Sequence, residues 1–197
     1  GIFQRVGRMR RSFARFSGLR DVIGTLGKTT GEKLQLGHWA ACRRVFDYDD
    51  VRKFGEVTGD MNAIHLDKDV AASAQNPLNL RRQVPEDEPR IVHGLLVAGL
   101  FPALFATKLP GAVYVSQDLR FRAPLALGRG VLVFVQVKEM LREGTMAALD
   151  TTVYLDEEQM WSKLRSLDSQ GTEVVDADFE AFDARGIIRG NAKVLLP

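Results

Sequence analysis

The chain has 197 residues, 45% of them hydrophobic and 26% charged, with 27 Lys and Arg against 25 Asp and Glu for a formal net charge of +2. That length supports one well-packed domain, and the composition is that of a globular protein rather than a disordered chain. Cys42 is the single cysteine, which excludes an intrachain disulfide and a cysteine-rich zinc centre and makes a reducing compartment the natural reading.

Charge is unevenly spread along the chain. Arg5, Arg8, Arg10, Arg11, Arg15 and Arg20 give the first twenty residues six positive charges and no negative one, with Phe3, Phe13, Phe16, Ser12 and Ser17 between them. Residues 1–32 are therefore read as a basic arm with the composition of an organelle transit segment. The alternatives are a solvated arm, or a docking segment for a negatively charged partner such as RNA in a large mitochondrial assembly. Residues 33–197 are read as one domain.

Within that domain, residues 33–47 alternate enough (Leu34, Leu36, Trp39, Ala41, Val45) to predict a first strand. Asp47 or Asp49 caps a predicted helix over 50–57, where Val51, Phe54 and Val57 recur at three-residue spacing, and Gly59 stops it. A short helix over 67–74 comes next, then a loop over 76–89 punctuated by prolines. Residues 93–106 read as a helix apolar on all sides and so surrounded by protein. The uncharged apolar run from Gly94 to Thr107 is too short for a membrane span, which needs about 20 residues. Four strands are predicted over 112–121, 130–141, 146–155 and 187–196, separated by Pro124–Gly128, by Gly144, and by a long insertion that ends at Gly186. The order describes an α+β domain in which a curved antiparallel sheet wraps a central apolar helix.

The chemistry concentrates in two segments. Gly59-Asp60-Met61-Asn62-Ala63-Ile64-His65 sets a carboxylate and an imidazole five residues apart, and Ile91-Val92-His93-Gly94 opens the apolar helix with a glycine. An acid–base pair beside a backbone N–H donor can remove a proton, deliver one and polarise a carbonyl. Residue type alone leaves a plainer reading open, since Asp60 and Asn62 are common turn and cap residues and His65 suits a partly buried structural position. His38 has no second ligand near it in sequence and is read as structural.

The motifs Phe54-x-x-Val57-Thr58-Gly59-Asp60-x-Asn62-x-Ile64-His65-x5-Ala71, Ile91-Val92-His93-Gly94-Leu95-Leu96, Leu109-Pro110-Gly111 and Gln117-x-Leu119-x-Phe121-x-x-Pro124 occur together. In that order and spacing the chain resembles the MaoC-like group of the hot-dog fold, which contains (R)-specific enoyl-CoA hydratases and mitochondrial type 2 3-hydroxyacyl-thioester dehydratases. The resemblance covers about 46–155 and resumes over 186–197.

It implies reversible dehydration of (3R)-3-hydroxyacyl thioesters of acyl carrier protein or CoA to trans-2-enoyl thioesters, in fatty acid synthesis of the mitochondrial matrix. It further implies a homodimer with no metal and no cofactor. Asp60 and His65 would manage the water and the α-proton, Asn62 would orient one of them, and the Gly94 N–H would bind the thioester carbonyl. His93, Arg81, Arg82 and Arg90 would contact the substrate, the arginines through phosphates of CoA or the acidic face of a carrier protein.

Three departures accompany the resemblance. Ala63 stands where the family has proline. Pro102 stands where related hydratases carry a serine that holds the aspartate, and a proline inside one continuous helix should kink it at about 3 kcal/mol. Residues 156–185 form an insertion in which nine acidic side chains between Asp156 and Asp183 stand against Lys163 and Arg165, with Trp161, Phe179 and Phe182 among them. It is read as a solvated excursion or a docking surface for a basic partner. Pro102, this insertion and the arm favour a second reading, a dehydratase-derived structural subunit of a large mitochondrial assembly. A hot-dog thioesterase fits the Asp-x-Asn-x-x-His spacing less well.

Overall fold

The computed structural model describes residues 19–27, 34–73, 84–171 and 186–197. Its centre is a seven-stranded, fully antiparallel sheet. The strands are β1 (Arg20–Ile23), β2 (Trp39–Val45), β3 (Val113–Gln117), β4 (Arg120–Phe121), β5 (Gly130–Leu141), β6 (Met146–Leu155) and β7 (Gly186–Leu195). They lie in the order β1-β2-β5-β6-β7-β3, with β4 also on β7. The helices are α1 (Tyr48–Thr58), α2 (Ala63–Leu66), α3 (Lys68–Ser73), α4 (Gly94–Ala98), α5 (Leu100–Lys108) and α6 (Glu158–Gln170). The α+β hot-dog architecture expected from the sequence is present, with an open sheet and helical segments packed on it.

The strand pattern explains how two layers cover the sheet. On β5, Val131, Val133, Val135 and Val137 join the main core with Phe101, Leu104 and Phe105 of α5. The alternate residues Leu132 and Phe134 join a second cluster with Trp39, Ala41, Tyr154 and the α6 residues Met160, Trp161 and Leu164. A strand buried on both faces loses polar alternation and reads as one apolar run. The insertion is therefore not a solvated excursion over its described part. Apolar side chains at 160, 161 and 164 form a stripe on α6 that seals the outer face of the sheet. Its acidic end is also engaged: Arg43 Nε lies 2.7 Å from Asp156 Oδ2, Arg43 Nη2 lies 2.9 Å from Glu158, and the guanidinium stands 5.2 Å from the centre of the Trp161 ring. Residues 172–185, with Phe179 and Phe182, lie outside the described residues.

The arm also differs from expectation. Its residues 20–23 form β1, which pairs with β2 and is pinned to α6 by a 2.9 Å hydrogen bond from the Gly24 N–H to Asp168 Oδ1. Hydrophobic patterning did not mark this strand, because Arg20-Asp21-Val22-Ile23 is short and half charged; it is held by pairing with β2, with the Asp168 bond as a further tie across 144 residues. Arg5, Arg8, Arg10, Arg11 and Arg15 lie outside the described residues.

The central helix is two helices. It breaks at Gly99, so Pro102 occupies the third position of α5, where the backbone N–H has no intrahelical acceptor to lose. Pro102 is exposed, as are Leu95, Gly99 and Ala106, so the segment is apolar without being enclosed on every side. The strand expected over 112–121 is likewise split, into β3 and β4. No helix among the described residues is long and apolar enough to cross a membrane.

Candidate active site

The site begins with a helix that is told where to start and stop. Asp47 caps α1 by accepting from the Asp50 N–H at 2.9 Å, and the Asp50 carboxylate accepts from the Asp47 N–H at 3.2 Å. Gly59 ends the helix at φ +80°, a left-handed conformation that favours glycine, and its N–H returns 2.8 Å to the Gly55 carbonyl. The reversal throws Asp60 clear of the helix, with its side chain 53% exposed. Asn62 then caps the single turn α2, its side-chain oxygen accepting from the Ile64 N–H at 3.3 Å. That turn carries His65 inward, where it is buried.

His65 Nδ1 lies 2.7 Å from the Ile91 carbonyl oxygen. A carbonyl only accepts, so Nδ1 carries the proton and Nε2 is left with a lone pair, the form a general base requires. The imidazole is held below its ordinary value of 6.5, chiefly because burial disfavours the cation; the neighbouring His93 adds to this, while the Ile91 carbonyl and Asp60 oppose it.

His93 is the residue that joins the two segments. It is 2% exposed and immediately precedes α4. Its Nε2 donates to the Asp60 backbone carbonyl at 2.9 Å and stands 3.9 Å from the Asp60 carboxylate. Its ring stacks on His65 with centroids 3.8 Å apart and planes at 28°, and Phe54 meets it at 5.0 Å and 53°. Potential ligand atoms of Asp60, His65 and His93 all lie within 4.8 Å of one another, close enough for one water to bridge between them. The trio is also the one group among the described residues able to hold a metal ion. Stacked imidazoles, however, direct their in-plane lone pairs side by side rather than at one point, and a nitrogen of each ring is already committed to a carbonyl.

Gly94 follows His93 and opens α4, so its N–H precedes the intrahelical ladder. A five-residue helix has little macrodipole, so what it presents is the N–H itself. A side chain here would meet the Phe121 ring at 2.6 Å, so only glycine lets that ring lie against the start of the helix.

Asp60, Asn62, His65, His93 and Gly94 are thus brought together. Arg90 is half-buried and bound to Glu88 through both Nε (2.8 Å) and Nη2 (2.7 Å), over the Tyr48 ring at 4.8 Å. To meet a phosphate it would have to exchange that partner. Arg81 and Arg82 lie outside the described residues. Three participants are given no role by the sequence reading: Phe54 against His93, Phe121 against Gly94, and the Ile91 carbonyl. Both aromatics sit at the fixed motif positions quoted above, whereas a backbone carbonyl belongs to every residue and is selected only by the fold.

A family model described as MaoC like domain matches residues 26–159. A 3-hydroxybutyryl-CoA dehydratase of Methylorubrum extorquens is 40% identical over 129 residues, 64% of this chain and 75% of the relative. A mitochondrial 3-hydroxyacyl-[acyl-carrier-protein] dehydratase of Arabidopsis thaliana is 38% identical over 118 residues, 60% of this chain and 63% of the relative, so the match spans under two thirds of that protein. Among solved structures, the (R)-hydratase of Aeromonas caviae superposes with a TM-score of 0.61 at 26% identity, covering 85% of this chain and 100% of that one.

Proposed function

The chain belongs to the MaoC-like family of hydro-lyases, and we propose that it interconverts (3R)-3-hydroxyacyl and trans-2-enoyl thioesters at the Asp60–His65 pair. The observation that carries this reading is the pairing of a buried, neutral imidazole whose Nε2 is unprotonated with a carboxylate a water's breadth away, beside a helix-opening N–H.

In the dehydrating direction the thioester carbonyl accepts from the Gly94 N–H, which spreads negative charge onto oxygen and acidifies the α-carbon. One such donor typically contributes about 2.7–4 kcal/mol to the transition state. His65 Nε2 takes the α-proton, Asp60 holds the 3-hydroxyl by accepting its hydrogen bond, and the C3–O bond breaks as the C2=C3 bond forms. The imidazolium returns its proton to the departing oxygen, releasing water and restoring neutral His65. Hydration reverses these steps. Asn62 acts through the backbone by capping the turn that carries His65.

Acyl carrier protein or CoA is the proposed carrier, and fatty acid synthesis in the mitochondrial matrix the proposed setting. The mitochondrial name of the Arabidopsis relative and the arginine-rich first twenty residues support it. A homodimer through the sheet edge is proposed from β3, an edge strand whose Val113 and Val115 are 57% and 49% exposed. The structural-subunit reading loses the insertion as support, because α6 is packed on the sheet rather than presented; Pro102 is accommodated in the first turn of α5 but supplies no hydroxyl to Asp60, and the retained Asp60, Asn62, His65 and Gly94 argue for the enzyme. Hydration of crotonyl-CoA, followed by loss of its enoyl absorbance, tests the proposal; a folded protein without turnover on either the CoA or the carrier-protein thioester would sink it.

A further inference from the structure

A buried polar atom without a partner calls for an explanation, and His93 Nδ1 is one. A phenylalanine would fill the space between Phe54 and His65 equally well and leave no ring nitrogen unpaired. What the imidazole supplies instead is the N–H that holds the Asp60 carbonyl at 2.9 Å. The Asp60 loop has few other anchors, among them a 3.3 Å bond from its N–H to Thr58 Oγ1 and a 3.4 Å bond from the Asn62 N–H to Asp60 Oδ1. The same ring lies face to face with His65, and the next residue is Gly94.

We propose that His93 is a positioning residue that sets the mutual geometry of Asp60, His65 and the Gly94 N–H, an inference that rests on the dehydratase reading of this site. Its Nε2–H fixes the height of the Asp60 loop, its face fixes the plane of the His65 ring, and its backbone carries both references directly into the start of α4. Productive constellations are held to within about 0.5 Å, and misplacement by about 1 Å can cost 10²-fold in rate. His93 is thereby assigned to holding the reacting groups rather than touching the substrate.

The test compares His93→Phe, which keeps the ring and removes the donor, with His93→Gln, whose Nε2–H reaches toward the same carbonyl. Asp60→Asn and His65→Ala are measured alongside, and thermal unfolding checks that each variant is folded. His93→Phe is expected to lower kcat by about 10²-fold with KM little changed, and His93→Gln to recover much of the loss. Unchanged kcat in folded His93→Phe, a loss confined to KM, or no recovery in His93→Gln would overturn the proposal. Should Asp60→Asn and His65→Ala both turn over normally, the dehydratase reading itself fails; should they be inactive while His93→Phe is fully active, only the positioning role fails. Imidazole 15N spectra give a readout independent of turnover. They should show His93 protonated at Nε2 in the unmodified protein, and a proton on Nδ1 instead would remove the proposed bond and with it the inference.

Discussion

The Ile91 carbonyl oxygen lies 2.7 Å from His65 Nδ1, and this contact fixes which nitrogen of the ring is bare. Burial further favours the neutral ring, so its proton is lost at a pH below the ordinary 6.5. The acid limb of kcat/KM for hydration should accordingly turn down below pH 6.5 rather than at it. Stability follows the same sign. Above 6.5 the ring is neutral in both folded and unfolded chains; as pH falls from 6.5 through the folded-state value, the unfolded chain binds the proton first and stability is lost. Chemical denaturation at a series of pH values should show this decline, and His65→Gln should lessen it.

Asp60→Asn and His65→Ala should each lower kcat by about 10²-fold or more, the typical contribution of a positioned acid or base. Asn62→Ala should behave differently. It removes the cap of α2 at a cost of about 0.5–2 kcal/mol and impairs turnover only through the placement of His65. Steady-state kinetics paired with thermal melts separates the two patterns, and normal turnover in either of the first two variants would show the assignment to be wrong.

Trp161→Ala should destabilise the fold by about 3–5 kcal/mol, because the side chain is 2% exposed and fills the layer between α6 and the sheet. The reacting groups lie on the other side of the sheet, so kcat of the folded fraction should change little. Urea unfolding and activity at low temperature together check this; an unchanged midpoint would mean that α6 does not pack as described.

Cys42 is buried on β2, and burial pushes its thiol up to about 12. The reactive species is the thiolate, so the native protein should not react with a disulfide reagent at neutral pH and should release one equivalent of thiol on denaturation. Rapid labelling of the native state would contradict this.

Local signals in the sequence determined much of the fold and of the candidate site. Asp47, Gly59 and Asn62 specify the start, the end and the restart of helix by side-chain capping and a positive φ, which need only neighbours in the chain. The Asp60-x-x-x-x-His65 spacing and the His93-Gly94 step were legible for the same reason. Tertiary structure alone decided the rest. Whether residues 156–170 are solvated or packed depends on Leu132 and Phe134 leaving the outer face of the sheet apolar, a relation between segments distant in the chain. β1 forms by pairing with β2, and its end is tied to α6 where Asp168 accepts from the Gly24 N–H. Pro102 costs the helix no backbone hydrogen bond because the helix breaks at Gly99, which shifts its register from helix interior to first turn. The tautomers of His65 and His93 are set by contacts made across 26 and 33 residues, respectively, with the Ile91 and Asp60 backbone carbonyls. A carbonyl oxygen is common to every residue and carries no mark in the sequence, so only the folded chain selects which one a side chain meets.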